Sequence, residues 1–562
     1  MYKLSMATLR KSKVGKHTYW QIVESKRVNG KPRPLVLIHL GTAEQLLYKL
    51  KEEPLKWKIK SASHGAVYFL YQIARILNLP YIFNSNFPSQ KRDGLTTGET
   101  LLIGAIHRSI KPSSKRSFSD WAKTTTLPEI ISFEPDKIDS QHFWNQMDMV
   151  TEEQMVEAEK QITRKMINLS LIKPELLFYD LTNFFTYINT TNEKSDLAKR
   201  GRNKQKRNDL KQFNLAQVVT EEFLIPVLSE VYEGNKTDKE YFIPFLTRFR
   251  KRLSEVNLEL ADITIVFDKG STTKDNFNEL DNKEIPYVAS LTSSYHKDLM
   301  NIPMSDYQEK DINGKTIKCY RTKKLVWGKE RTLLIYLSDK LKQSQIRGLN
   351  EAIEKKQLKL KELKDKLNNP KARYRKRDTL SVTINDILKE ERCSEIINAT
   401  IEEKRKGHFD VSWGIDDVAY LWITENLFGK KILVTSRDDW SDERIISAYN
   451  GQSNVERVFK SLKNPYHNAV RPQYHWTDQK IKVHTFICVI GLLLSQVLLK
   501  KAGELGYKGS IESLIDKLSE IRKVEVITIA EDKKKLDKIV QLEEMNPVLE
   551  KMYTDLMKNI TG

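Results

Sequence analysis

The chain has 562 residues, too many for one compact core, so three or more folding units are expected. Apolar residues make up 40% and aromatics 9%, which excludes wholesale disorder, while a formal net charge of +20 points to a polyanionic partner, nucleic acid or a membrane surface. The three cysteines, Cys319, Cys393 and Cys488, stand far apart with no CxxC pair, which excludes a cysteine-built zinc site and gives no disulfide framework.

The start, MYKLSMATLRKSKVGKHTYW, carries charge but no apolar run of signal-peptide length, so a secretory leader is not expected. TYWQIVESKRVNGKPRPLVLIHLG alternates around the turn signal VNGKP, and residues 1–60 are expected to be β-rich. Residues 61–171 have a helical texture. GAVYFLYQIARILNL and TTGETLLIGAIHRSI are apolar at helical spacing, and the links FPSQKRDG and KPSSKRSFSDWAKTT are basic. Short helices on basic loops fit a DNA-binding region and fit equally a small helical domain without that role.

Beyond Ile172 the texture changes. PELLFYDLTNFFTYI is a strand-like run with Asp180 in its middle, and KSDLAKRGRNKQKRNDLK is a dense basic loop suited to sequence-independent DNA contact. FNLAQVVTEEFLIPVLSEVYEG reads as two strands joined at Glu221–Glu222. DKEYFIPFLTRFRKRL is a helix, ADITIVFDKG a buried strand ending in Asp268, TTKDNFNELDNK a helix and IPYVASL a strand. That order, over residues 172–299, is the order of an RNase H-like mixed α/β fold.

Residues 300–431 interrupt it as a β-rich insertion. CYRTKKLVWGKERTLLIYLSD and DVAYLWITENLFGKKILVTS look like strands. Between them a helical arm places Ile346, Leu349, Ile353, Leu360, Leu363 and Leu367 at a/d spacing before NNP, and is expected to pack on its own domain. The core resumes over 432–505 with SDERIISAYNGQSNVERVFKSLK, a helix with Ser441 as N-cap. Val483–Leu499 is barely long enough to span a bilayer and carries His, Thr, Ser and Gln, so a buried core helix and a cytoplasmic, non-membrane protein are expected. The lysine-rich tail, 506–562, reads as a helical C-terminus.

A carboxylate inside a run as apolar as LLFYDLTNFF costs roughly several kcal/mol unless compensated. Mg²⁺ held by one Asp on each of two neighbouring strands would compensate it. Taken singly, Asp180 and Asp268 fit better as strand-end residues that cap a turn or pair with Lys269. In YNGQSNVERVFKSLK, a continuous helix would line up Tyr449, Gln452, Glu456 and Lys463 on one face. Asn454, Arg457, Lys460 and Ser461 would line one side, and Val455, Phe459 and Leu462 another. A solvated helix face has the same look.

Together, YDLTNFF, GNKTDKE (Gly234–Glu240), IVFDKG, IPYVASL, YNGQSNVERVFKSLK and the downstream VRPQYHWTDQKIKVHTFICVIGLLL resemble the DDE transposases of bacterial insertion sequences. The resemblance is to the group whose carboxylate helix bears a Tyr-Arg-Glu-Lys signature, and it runs from the N-terminal strands to about Leu499. It implies an RNase H-like core in which Asp180, Asp268 and Glu456 hold two Mg²⁺ ions, with Mn²⁺ able to substitute, and an insertion domain ahead of the Glu. It implies binding of terminal inverted repeats, cleavage at the element ends, and attack of the freed 3′-OH on target DNA in a cut-and-paste reaction. A homodimer on DNA follows, since two ends must be held together, in the bacterial cytoplasm and at the nucleoid.

Lys463 would then lie on a phosphate, Tyr449 would bond a phosphate or stack on a displaced base, and Arg457 and Lys460 would reach the backbone or flank the helix in solvent. Gln452 replaces the signature Arg and would lose a charged phosphate contact. In the basic loop the DNA-contacting residues are Arg200, Arg202, Lys204, Lys206 and Arg207. His475 and Trp476 are expected to start and pack the next helix. Two other readings remain open: a transposase-derived DNA-binding protein without catalysis, and a general RNase H-type nuclease.

Overall fold

The computed structural model describes residues 7–28, 31–51, 56–189, 191–203, 205–312, 314–369, 376–471, 473–529 and 537–561, in two units. The first unit joins the N-terminal residues through Ser63 to Ile521–Met545. Ala7–Val14, His17–Val28 and Lys31–Thr42 form an antiparallel sheet, as the alternation predicts. The strands flanking VNGKP pair Val28 with Lys31, while Asn29 and Gly30 themselves lie outside the described residues. In a second sheet Lys56–Ser63 pairs with Arg522–Ile529, which pairs with Asp537–Leu542.

That second sheet corrects the expectation of a wholly helical tail. RKVEVITI alternates β-branched residues with polar ones, and this period of two outweighs the helical propensity of the surrounding lysines. Helices remain on either side of the hairpin, at Ile511–Ser519 and Pro547–Thr561.

The second unit is built on a nine-stranded sheet. In chain order its strands are β1 (Leu176–Phe185), β2 (Gln212–Thr220), β3 (Pro226–Glu233), β4 (Thr264–Phe267), β5 (Tyr287–Leu291), β6 (Gln308–Ile312), β7 (Lys315–Val326), β8 (Lys329–Leu337) and β9 (Lys430–Thr435). The spatial order is β6-β7-β8-β9-β5-β4-β1-β2-β3. Strands β1 to β3 form an antiparallel meander, and β1, β4 and β5 run parallel. The β3–β4 connection carries one helix, Asp238–Glu255, opened by a capping box between Thr237 and Glu240, and the β4–β5 connection carries another, Lys274–Asn282. This is the RNase H-like order expected from the sequence.

The segment 300–431 departs in part from a separate β-rich domain. Its first three strands, β6 to β8, extend the core sheet edge to edge, because β8 pairs with β9 and β9 with β5. The rest is a long helix, Asp339–Leu367, with Arg377–Leu388, a hairpin (Ile397–Arg405 with His408–Ile415) and Asp417–Asn426 packed against it. Leu349, Ile353, Leu360, Leu363 and Leu367 are buried in that cluster, as an arm packing on its own domain requires. DVAYLWITEN, expected as strand, is helical. Asp416 caps its start by accepting from the Ala419 amide at 2.9 Å, and only the following KKILVT joins the sheet.

Two helices hold the rest of the second unit together: α1 (Thr97–Ile110) and α2 (Asp478–Glu504). Helix α2 is long and apolar enough to cross a membrane, yet its apolar stretch is almost entirely buried in protein, as expected of a core helix. The helices of residues 61–171 pack around it. Phe83 and Phe87 meet Phe486 at ring distances of 6.0 and 6.1 Å, and the Lys480 ammonium donates to Asp148 at 2.6 Å.

The α1–α2 contact is close because position 491 has no side chain. A Cβ there would stand 2.7 Å from the Ala105 carbonyl oxygen and 2.9 Å from Ser109 Oγ. Gly491→Ala is therefore expected to lower stability by about 1–3 kcal/mol. The check is urea unfolding: the midpoint should fall at constant slope, and an unchanged midpoint would contradict the contact.

Candidate active site

The site starts from strand register. Leu176 pairs with Thr264, Leu177 with Ile265 and Phe178 with Val266. Carried on by two residues, this register sets Asp180 opposite Asp268 on the same face of the sheet. Phe178, Asp180, Thr182 and Phe184 share that face of β1, while Tyr179 turns to the other side and meets Phe245 at 4.1 Å. Asp180 is half-buried, and Asp268 is exposed at the end of β4. Asp180 Oδ1 accepts from the Leu181 amide at 2.8 Å.

The helix expected over 449–463 is two helices, α3 (Asp442–Gln452) and α4 (Val455–Lys463), with α3 capped by Ser441 as predicted. Around the break, Ser453 Oγ donates to the Asn450 carbonyl at 2.8 Å. The Asn454 amide donates to Gly451 and the Arg457 amide to Asn454, each at 2.8 Å, which tightens the turn. The pair lies along β1. Gly451 presses on Phe178, where a Cβ would stand 2.7 Å from Cζ. Farther along, the Lys463 ammonium lies 5.4 Å from the Phe184 ring centre and donates to Thr182 Oγ1 at 2.5 Å. Asp180 lies between these two contacts on the strand, as Glu456 does on the helix pair.

The break undoes the single face drawn from spacing. Tyr449 and Gln452 are buried, Glu456, Arg457 and Lys460 are exposed, and Ser461 is buried and donates to Glu512 at 3.2 Å. Tyr449 donates its hydroxyl to Asp268 Oδ1 at 3.1 Å. Burial and the nearby Asp268 charge raise the Tyr449 pKa well above its ordinary value, so the hydroxyl stays a donor. Gln452, which stands where the signature has Arg, is buried.

Three neighbours were not assigned from sequence. Lys431 on β9 stands 5.5 Å from the Tyr449 ring centre; burial lowers its pKa, and the charge of Asp268 works the other way. Its sequence setting, GKKILVTS, gives no signal. Asp238, in the quoted GNKTDKE, lies against the turn after Asp268, with its carboxylate 3.1 Å from where a Cβ of Gly270 would stand. Thr182 becomes visible only once Lys463 is placed.

The basic loop leaves the end of β1 and is tied at both sides. Asp478, in the first turn of α2, accepts from Ser195 Oγ at 2.6 Å, the Leu197 amide at 3.0 Å and the Asp196 amide at 3.2 Å. The Gln212 side-chain amide donates to the Gly234 carbonyl at 2.7 Å, and a Cβ on Gly234 would stand 1.9 Å from the Gln212 carbonyl, which is why GNKTDKE opens with glycine. Arg200, Arg202, Lys206 and Arg207 are exposed between the ties, and Lys204 lies outside the described residues. Arg207 grips Asp209 in a fork at 2.8 and 2.7 Å. Trp476, partly exposed, faces the Lys194 ammonium at 4.9 Å, while His475 is buried and packs on Trp144 at 5.3 Å.

Among the described residues no three His, Cys, Asp or Glu side chains stand close enough together to hold a metal ion. Asp180 and Asp268, in register on one face, are oxygen donors of the kind a hard divalent cation takes, while Glu456 stands exposed on α4.

The strand order and its two in-register acids define an RNase H-like domain. The transposase DDE domain family matches residues 185–476, just over half of the chain, and the N-terminal domain of IS1634 family transposases matches residues 7–61. The chain belongs to the DDE transposases of insertion sequences. The matched span begins five residues past Asp180, so Asp180 rests on register. A piggyBac transposase synaptic complex with hairpin DNA is similar over 81% of this chain and 79% of that one, at 9% identity and a TM-score of 0.35, too loose to align residues. No curated protein matches the chain.

Asp478→Ala would remove three bonds that pin the basic loop. Trypsin is expected to cut at Arg200, Arg202 and Arg207 several-fold faster than in the wild type, at roughly 1–3 kcal/mol of lost local stability. Equal cutting rates would show that the loop is held elsewhere.

Proposed function

We propose that the chain is a cut-and-paste transposase that binds the terminal inverted repeats of its element, cleaves the ends and joins the 3′-OH to target DNA. Asp180, Asp268 and Glu456 would hold two Mg²⁺ ions, or Mn²⁺ in their place. When bound, these ions supply an activated water and neutralise charge at the leaving oxygen. The observation that carries this reading is the β1–β4 register, which sets Asp180 opposite Asp268 on the face that α3 and α4 cover.

The chain's own residues have separable tasks. The Tyr449 hydroxyl orients Asp268, and Lys463, held at Thr182, offers a cation to a phosphate beside Asp180. Arg457 and Lys460 stand exposed on α4, and Arg200, Arg202, Lys204, Lys206 and Arg207 give the loop a backbone-directed charge. The β-rich residues 1–60 and the helices of 61–171 would recognise DNA, and two copies would hold two ends. The buried α2 and the +20 charge support a soluble protein that works on DNA in the cytoplasm.

Asp180→Asn, Asp268→Asn and Glu456→Gln are each expected to abolish Mg²⁺-dependent cleavage of the DNA flanking the gene while leaving its gel shift intact. Cleavage by any of the three would overturn the reading. A second reading, binding without catalysis, is favoured by one observation: Glu456 stands exposed rather than grouped with the two Asp side chains. It predicts a gel shift by the wild type with no nicking in Mg²⁺ or Mn²⁺.

Lys463→Met is expected to weaken DNA binding uniformly across sequences and to reduce the slope of log affinity against log salt by about 1. An unchanged slope would place Lys463 away from phosphate.

A further inference from the structure

Away from the three acids, the link after α1 closes a cavity of about 240 Å³, walled by Arg108, Lys115, Trp144, His475 and His484 among others. KPSSKRS reads as an exposed basic loop, yet it turns the Lys115 ammonium inward, where it meets His475 Nε2 at 3.0 Å and His484 Nδ1 at 3.3 Å. His484 Nε2 donates to the Val470 carbonyl at 2.9 Å, so its Nδ1 accepts from Lys115. His475 accepts through Nε2 as well, which leaves its proton on Nδ1. That Nδ1–H is buried and has no acceptor, and the Nε–H of Arg108 is in the same position. Buried donors without acceptors are uncommon and cost about 1–3 kcal/mol each.

Charge tells the same story. Among the described residues neither Arg108 nor Lys115 pairs with a carboxylate, whereas the neighbouring Lys480 is matched by Asp148. Burial first, and the Arg108 charge second, draw the Lys115 pKa down to about 7; burial and the Lys115 charge hold His475 well below its ordinary range. The cavity therefore has surplus positive potential and spare donors. Arg108 donates to the carbonyls of Ser113, Ala469 and Arg471, but among the described residues no carboxylate lines the cavity.

We propose that this cavity binds one phosphate group, with the Lys115 ammonium and the Nδ1–H of His475 as its principal donors. A phosphate oxygen has lone pairs for both, and its charge offsets the uncompensated Arg108 and Lys115. The group comes either from the backbone of bound DNA or from a free phosphate compound. The site does not rest on the transposition reading, and binding there is measured without cleavage.

The test is calorimetry on the full chain, titrated with inorganic phosphate in chloride buffer. The wild type is expected to show one saturable site. Lys115→Gln should weaken it about tenfold or more, Lys115→Arg should keep it within a few-fold, and the distant surface variant Lys91→Gln should leave it unchanged. Ser114→Glu, at the exposed rim, brings a carboxylate to the same cations and should weaken binding similarly, which decides the matter if Lys115→Gln fails to melt cooperatively. A DNA duplex added first should abolish the phosphate heat if DNA supplies the group and leave it intact if a free compound does. No saturable heat in the wild type, or wild-type affinity retained in both Lys115→Gln and Ser114→Glu, would overturn the proposal.

Discussion

The parallel pairing of β1 with β4 is the constraint on which the site depends. Because side chains alternate along a strand, this register puts Asp180 and Asp268 on one face, and a slip of one residue would send one of them to the opposite side. Like charges set opposite each other across a strand pair repel, so a fold that keeps this register must offset the pair. The structure places a tyrosine hydroxyl on Asp268, an amide on Asp180, and the ammonium groups of Lys431 and Lys463 in the surroundings.

Everything laid over that face follows from close contact. Gly451 lets α3 settle on Phe178, and the break after Gln452 turns α4 so that Lys463 reaches Thr182. The break has a chemical cost, since Tyr449 and Gln452 go inside while Glu456 stays in solvent. The same principle recurs elsewhere in the second unit. Gly491 brings α1 onto α2, and Gly234 brings the end of β3 onto Gln212, where the basic loop is tied. Where backbones must nearly touch, only glycine fits.

Much of this was legible in the sequence because the relevant signals are local and periodic. The core strands alternate or run apolar, their order alone specifies the RNase H-like sheet, and Val483–Leu499, apolar but carrying His, Thr, Ser and Gln, is found buried in protein. What was not legible depends on tertiary placement. DVAYLWITEN has strand-like composition but begins with a capping aspartate. The tail's lysines hide an alternating strand, and β6 to β8 complete the core sheet instead of leaving it. The continuous face from Tyr449 to Lys463 failed at Ser453, whose hydroxyl competes for a helical carbonyl. Lys431 and Asp238 became visible only when distant segments were brought beside Asp268.

Three segments distant in sequence, around Asp180, Asp268 and Glu456, are proposed to surround one two-metal site. Iron(II) with ascorbate, in place of Mg²⁺ on the DNA-bound protein, generates hydroxyl radicals that cut the backbone nearest the ion, and mass spectrometry maps the cuts. Cuts confined to those three segments, and lost together in Asp180→Asn, are the expected result. Cuts at only one of the segments, or elsewhere in the chain, would contradict it.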